Sequence, residues 1–253
     1  WAGVDGDIGF YGHEYWGWWA MTPELTFGGG YTGSLGDIGH GMDGTCNCWW
    51  TDWFSNEFRA INSVFNVSSL NALDPGDATQ VRLSYASGPL SMAVALEESD
   101  PVGTAFGAGD LAVAGEVAYS GDTFSAEISG IWYDADNLGF NSDGWQIGAG
   151  ASFALGDMAS ISLAGGIGEH WTNGDYYSVS GLVNFGLSDN ISFEVGASYG
   201  EYTDFNVDLF SVLAGIYYNP VSQLTLGLEG QWSDSNIWGN DFTTVDFVTI
   251  WRF

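Results

Sequence analysis

The chain has 253 residues, of which 45% are hydrophobic and 16% aromatic, so its composition argues against a disordered protein and fits one or two soluble domains or one β-barrel. Its 32 acidic residues outnumber three basic ones, and the formal net charge of −29 argues against binding to nucleic acid or anionic lipid, since both need basic surfaces. No apolar run reaches about 18 residues, so no transmembrane helix is predicted. Residues 1–10 lack a signal-peptide pattern, and we expect a mature chain or part of a longer one.

The first third of the chain predicts three strands and one long loop. Residues 1–11 alternate apolar and polar side chains, residues 14–21 are rich in aromatics, and residues 25–31 form a third strand after the turn at Thr22-Pro23-Glu24. Residues 32–77 contain no clean strand, and connections of this length are usually functional or disordered. Their aromatic side chains would be costly to leave in water, so we expect this loop to fold inward.

Beyond Asp77 the chain alternates with a period of two residues. Ile191, Phe193 and Val195 fall on one face of a strand, whereas Ser192 and Glu194 fall on the other. The segments are longer than the strands of soluble proteins and match tilted strands that span a bilayer. Eleven strands are predicted here, at 78–87, 89–98, 109–120, 122–134, 143–155, 157–169, 174–187, 190–202, 205–218, 222–233 and 241–253.

Tight and long connections alternate along these strands. Gly88-Pro89, Gly156-Asp157 and Asn219-Pro220 mark tight turns, and longer polar segments lie between them. This alternation is typical of outer-membrane barrels, which have short periplasmic turns and longer outer loops. The sequence therefore predicts an all-β fold, a transmembrane antiparallel β-barrel of about 14 strands, with residues 1–253 as a single domain.

Short motifs at several places resemble those of a Gram-negative general porin of the alphaproteobacterial type. Thr249–Phe253 is similar to the terminal-aromatic signature of outer-membrane barrels, with Phe253 as the assembly signal. Glu24–Gly30 resembles the strand before the constriction loop of porins, and Gln80–Tyr85 with Gly88–Glu97 resembles the hairpin after it. The resemblance implies the outer membrane as location, with lipid, lipopolysaccharide and the barrel assembly machinery as partners.

The resemblance also implies 16 strands, a homotrimer and a third outer loop folded into the pore. Only three strands precede the long loop here, where the family would have five. Either an N-terminal hairpin is absent from this sequence, or the barrel closes with 14 strands. Residues 32–77 would then be the infolded constriction loop.

If the apolar strand faces meet lipid, the opposite faces line a lumen rich in carboxylates. A negative lining lowers the energy of cations, so the sequence predicts a cation-selective, water-filled channel for passive diffusion of small hydrophilic solutes. The predicted lining residues are Glu97, Glu116, Glu127, Glu194, Glu229, Asp246 and Arg252. By resemblance, loop acids and nearby basic residues would form the constriction, namely Asp37, Asp43, Asp52, Glu57, Arg59 and Arg82.

Several alternatives stay open. Arg82 either opposes the loop acids or pairs with Glu97, and Arg59 could tether the loop. The channel could instead be specific for a sugar or another nutrient, with tryptophans of the loop (Trp49, Trp50 and Trp53) as a stacking track. A structural barrel with a plugged lumen is the third class. No catalytic arrangement is recognisable, so no enzyme is predicted.

Two further features of the sequence are candidate ligand sites. Cys46 and Cys48 favour a disulfide or free thiols over a metal site, although one intervening residue would strain the ring. The acidic segment Asp134–Asp143 does not have the spacing of a calcium loop. No resident cofactor is predicted, and loosely bound Ca²⁺ or other divalent cations at acidic outer loops remain a secondary interpretation.

The tryptophans Trp16, Trp18 and Trp19 have two interpretations. Aromatic side chains are enriched at protein interfaces, so these residues could form a subunit contact. They could equally belong to the aromatic girdle at a bilayer edge.

Overall fold

The structure is a computed structural model. It describes residues 2–5, 7–10, 15–36, 77–99, 110–134, 143–156, 158–170, 174–236 and 241–251. These ranges contain strands and turns, and none of their residues belongs to a helix long and apolar enough to cross a membrane.

Fifteen strands lie in the described ranges, and thirteen of them form one sheet. Their bounds are β1 Ala2–Asp5, β2 Asp7–Phe10, β3 Tyr15–Ala20, β4 Leu25–Gly33, β5 Asp77–Ser87, β6 Leu90–Ser99, β7 Asp110–Ser120, β8 Phe124–Tyr133, β9 Gly144–Ala154, β10 Ala159–His170, β11 Gly174–Ser188, β12 Ile191–Tyr202, β13 Val207–Val221, β14 Leu224–Ser235 and β15 Phe242–Trp251. From β3 to β15 each strand pairs antiparallel with the next in sequence, whereas β1 and β2 pair with each other.

The eleven strands predicted beyond Asp77 are confirmed as β5–β15, with bounds that differ by at most three residues. The single strand predicted at residues 1–11 is wrong, because residues 2–5 and 7–10 form two strands, β1 and β2, that pair with each other. The sequence signal for a turn is the triplet Asp5-Gly6-Asp7, in which Asp-Gly is a favoured hairpin pair. The main sheet therefore has 13 described strands, one fewer than the count from the alternating pattern.

The two faces of the sheet have opposite chemistry. One face, here called the exposed face, carries large apolar side chains that are about half exposed, such as Ile128 at 55% and Leu163 at 54%. The other, called the buried face, carries polar side chains such as Glu97, Ser162 and Glu194 together with small residues and a minority of large apolar or aromatic ones such as Leu213 and Tyr217, and these are almost fully shielded. This distribution is the reverse of that in a soluble protein and is typical of strands whose apolar face contacts lipid.

In an antiparallel sheet of sequential strands, successive connections alternate between the two ends. Here one end carries only short turns, including residues 88–89 and 189–190, and the other carries the longest segments, residues 34–76 and 100–109, although the connection at residues 171–173 on that end is also short. Gly88, with a φ of 57°, adopts the left-handed conformation that such a turn needs and that glycine reaches without strain. Residues that follow β4 therefore lie at the end of the sheet where the longer segments are.

An apolar cluster on the buried face shows where the chain goes after β4. Its members come from β6, β7 and β8 and from the residues after β4, namely Leu35, Ala95, Ala112, Ala114, Ile131 and Tyr133. Leu35 is only 2% exposed. The chain therefore turns from the end of β4 onto the buried face of the sheet.

Candidate functional site

The backbone of Thr32–Gly36, here called the loop root, is held by side chains of the sheet. Gln80 on β5 donates through Nε2 to the carbonyl oxygens of Thr32 at 3.1 Å and Gly33 at 3.0 Å. Arg82, two residues along the same strand, donates through Nη2 to the Gly33 oxygen at 2.7 Å. Two side chains of β5 thus bind the carbonyl groups where β4 ends.

The next residues of the loop root are bound by β6 and β9. The Glu97 carboxylate accepts hydrogen bonds from Ser34 Oγ at 2.6 Å and from the Leu35 amide at 3.0 Å. Gln146 Nε2 donates to the Gly36 carbonyl oxygen at 2.7 Å, and the Gly36 amide donates to Ser34 Oγ at 2.9 Å. Carbonyl groups meet donors and amides meet acceptors, as buried backbone groups require.

The loop root also packs closely against the side chains of the sheet. Ala95 and Ala114 are small, and Leu35 packs in the same cluster beside Ile131. A Cβ atom at Gly36 would overlap the side chain of Ile131. Glycine at this position therefore allows the backbone to lie directly on β8.

Arg82 is also held by an aromatic ring. Its guanidinium carbon lies 5.2 Å from the centroid of the Trp16 ring, within the range of a cation–π contact, and its Nε donates to Gln80 Oε1 at 2.9 Å. A Cβ at Gly28 would overlap the Trp16 ring, so glycine leaves the space that the ring fills. Trp16 therefore lies on the buried face, and neither the subunit contact nor the aromatic girdle describes it.

Five predicted lining carboxylates lie on the buried face. Four are almost fully buried, with exposed fractions of 0–5%, and the fifth, Glu116, is partly buried. The four are Glu97, Glu127, Glu194 and Glu229. A buried carboxylate is costly unless it accepts hydrogen bonds, so the partners of these groups decide whether they stay charged.

Two of these carboxylates accept hydrogen bonds from neighbouring strands. Asn184 Nδ2 donates to Glu194 Oε1 at 2.5 Å, and the Tyr217 hydroxyl donates to Glu229 Oε1 at 2.9 Å. A Cβ at Gly215 would overlap the Tyr217 ring, so this glycine makes room for the ring. Each contact gives the buried carboxylate a hydrogen-bond donor, which lowers the cost of burying it.

The register places Glu194 and Glu229 in one row across β12–β14. Glu194 is paired with Gly215, and Gly215 is paired with Glu229. Adjacent strands are about 4.8 Å apart, so the backbones at Glu194 and Glu229 are about 10 Å apart. The backbone of Asp246 on β15 continues the same row, since it is paired with Glu229.

Other predicted site residues lie outside the described residues. They are Asp37, Asp43, Cys46, Cys48, Asp52, Glu57, Arg59, Arg252 and Phe253. Within the described ranges no group of three or more metal-ligating side chains lies together. Sequence reasoning missed Ser34, Gln80 and Gln146 as a group, and the available signal was the presence of long polar side chains on the polar face of β5 and β9.

Comparisons with known proteins identify the fold. No protein-family model matches the sequence, and no curated protein matches it. A loop L8 deletion mutant of OmpT, an outer membrane protein of Vibrio cholerae, has a TM-score of 0.62 at 14% identity over 91% of this chain and 77% of its own. The anion-selective porin of Comamonas acidovorans has a TM-score of 0.57 at 12% identity over 87% and 77%.

A third solved structure extends the comparison. Pseudomonas aeruginosa OpdK with vanillate has a TM-score of 0.59 at 10% identity, over 94% of this chain and 68% of its own. These identities support a statement about the fold alone. The chain has the fold of Gram-negative outer-membrane porins.

Proposed function

We propose that this chain, with its porin fold, forms a water-filled channel in the bacterial outer membrane that admits small hydrophilic solutes by passive diffusion and prefers cations. The observation that carries the proposal is the division of the sheet into an apolar exposed face and a buried face bearing five glutamates. An apolar face suits lipid, and a polar, carboxylate-bearing face suits a lumen.

Charge on the buried face supports the preference for cations. The whole chain has three basic residues, whereas five glutamates lie on the buried face. At the dielectric constant of bulk water a unit charge interacts with an ion 8 Å away by about 0.5 kcal/mol, roughly a twofold change in local ion concentration, and this is a lower limit because protein shields these carboxylates from solvent. The fold does not decide selectivity, since one similar structure is that of an anion-selective porin.

The proposal includes the constriction loop that the sequence predicts at residues 32–77, with its bounds corrected to residues 34–76 because β4 ends at Gly33 and β5 begins at Asp77. The loop root supports it, because Ser34–Gly36 lie on the buried face against β6, β8 and β9. The acids of residues 37–57 would then narrow the lumen opposite Arg82. A homotrimer embedded in lipid and lipopolysaccharide is the assembly proposed, and one similar structure of OmpT is titled a trimer form.

Closure of the sheet into a barrel is part of the same proposal. Within the described ranges the sheet runs from β3 to β15, and 13 strands with antiparallel neighbours begin and end in the same direction. Direct pairing of β3 with β15 would be parallel, so an all-antiparallel barrel needs another strand between them. The hairpin β1–β2 precedes the β3 edge in sequence, but both of its strands would raise the count from 13 to 15, which is again odd. In this proposal one of the two strands, β1 or β2, supplies the closing strand.

The test of function is ion selectivity in planar bilayers. In a potassium chloride gradient the wild-type channel is expected to reverse at a potential that favours potassium. Replacing both buried row carboxylates, Glu194→Gln with Glu229→Gln, is expected to lower the permeability ratio about fourfold, at about twofold per charge.

A matched control removes a charge outside the buried face. Asp189→Asn alters the exposed turn between β11 and β12, and mobile ions screen that charge beyond about 10 Å. Its permeability ratio is expected to equal that of the wild type. A wild-type preference for chloride would overturn the cation preference, and absence of conductance would overturn the channel.

A substrate-specific channel is the second candidate. It is favoured by the stack of Arg82 on Trp16 on the buried face, which offers a cation and an aromatic ring to a solute, and by the similarity to OpdK, which is titled as a complex with vanillate. If a solute blocks the ion current and the block saturates as its concentration rises, this candidate is supported. If added solute causes no saturable block, general diffusion is supported.

A further inference from the structure

We infer that Glu97 is a positioning residue of the channel. It fixes the direction in which the loop root leaves the sheet after β4, and this direction determines the width of the lumen beside the loop root. The inference rests on the proposed function. It concerns described contacts between β6 and the loop root.

The two carboxylate oxygens of Glu97 bind two successive residues. Oε2 accepts from Ser34 Oγ, and Oε1 accepts from the Leu35 amide. Two contacts from one planar group determine an orientation as well as a position, and hydrogen bonds to a charged acceptor are stronger than neutral ones. Gln80 also binds two successive residues, the carbonyl groups of Thr32 and Gly33, but through one neutral nitrogen, and Gln146 binds one carbonyl oxygen. The charged Arg82 binds only the Gly33 oxygen, at the last residue of β4, so Glu97 is the charged group that binds the chain beyond β4 in these contacts.

Burial makes the contact hard to replace. Glu97 is 0% exposed and Leu35 is 2% exposed, so solvent has little access to the Leu35 amide. An amide buried without an acceptor is costly, and the loop root would shift to find another. Glu97→Gln keeps the volume of the side chain but presents an amide group in place of one acceptor oxygen.

The two partners of this contact allow a double-mutant cycle. Glu97→Gln and Ser34→Ala each remove part of the same contact, from the wall and from the loop root. In single-channel recordings each variant is expected to replace one open level with several, and the double variant is expected to match Glu97→Gln alone. Coupled residues give such non-additive effects.

The charge-matched variant is Glu116→Gln, which removes one carboxylate from the same face on β7. It is expected to lower cation preference while keeping a single open level. If Glu116→Gln gives the same set of levels as Glu97→Gln, or if the effects of Glu97→Gln and Ser34→Ala simply add, Glu97 acts only as a charge and the inference fails.

A second measurement does not need conduction. Hydrogen exchange at the Leu35 amide is expected to be about tenfold faster in Glu97→Gln than in the wild type, and faster also in Ser34→Ala, with no change in Glu116→Gln. If exchange at the Leu35 amide is unchanged in both Glu97→Gln and Ser34→Ala, the inference is overturned even if the channel conducts. A wild-type protein that does not conduct overturns the proposed function, while the exchange rates still decide the role of Glu97. If Glu97→Gln does not fold, the single-channel recordings and the exchange measurement are made on Ser34→Ala, which is the milder change.

Discussion

Leu163→Arg is expected to lower the free energy of unfolding by about 2–4 kcal/mol when the protein is unfolded by urea from lipid vesicles. Leu163 lies near the middle of β10 on the exposed face and is 54% exposed. If this face contacts hydrocarbon, an arginine at mid-strand must be moved out of water. On a soluble protein a half-exposed surface position would tolerate the same change within about 0.5 kcal/mol.

The matched control is an arginine outside the sheet. Thr123 is exposed in the short turn before β8, and Thr123→Arg is expected to change the free energy of unfolding by less than about 0.5 kcal/mol. Equal effects of the two substitutions, or a stable Leu163→Arg protein without lipid or detergent, would show that the exposed face does not lie in a membrane.

Deletion of residues 2–10 is expected to abolish the compact form that migrates fast on unheated gels in dodecyl sulfate. The sheet of 13 strands needs a further strand for antiparallel closure, and the deletion removes the segment that adjoins the β3 edge. Unpaired edge groups in hydrocarbon cost several kcal/mol each, so a barrel that cannot close should not insert.

A second deletion, elsewhere in the chain, distinguishes the loss of barrel closure from the mere effect of a shorter chain. Removing residues 103–107, between β6 and β7, leaves the pairing of both strands intact and is expected to preserve the fast-migrating form. If the protein without residues 2–10 also folds and conducts, the closing strand has another source and this part of the proposal is wrong.

The alternating pattern was sufficient to locate most strands and to sort their side chains. Successive residues of a strand point to opposite faces, so Glu194 and Val195 could be assigned to different faces from their spacing alone. The same rule located β5–β15 to within three residues and placed Glu97, Glu116, Glu127, Glu194 and Glu229 on one face. These are local properties of the backbone, and local sequence determines them.

The pattern failed at the N-terminal end for a physical reason. Trp16 and Trp19 are both apolar, so alternation does not say which of them faces inward, and the space above Gly28 and the contact with Arg82 show where the Trp16 ring lies. In residues 1–11 the alternation of apolar and polar side chains continues from Ala2–Asp5 to Asp7–Phe10, although these are two separate paired strands. Hydrophobicity alone could not separate one strand from a hairpin.

Only the tertiary structure decided how the loop root is held. Ser34 and Glu97 are 63 positions apart, and Gly36 and Gln146 are 110 apart. Their meeting depends on the register of β4–β9 and on the small side chains of Ala95 and Ala114, which leave room beside the sheet. The sequence by itself determined the strands, their two faces and the acidic character of one of them. Contacts between distant strands, which no local pattern encodes, decided which of the buried carboxylates binds the chain as it leaves the wall.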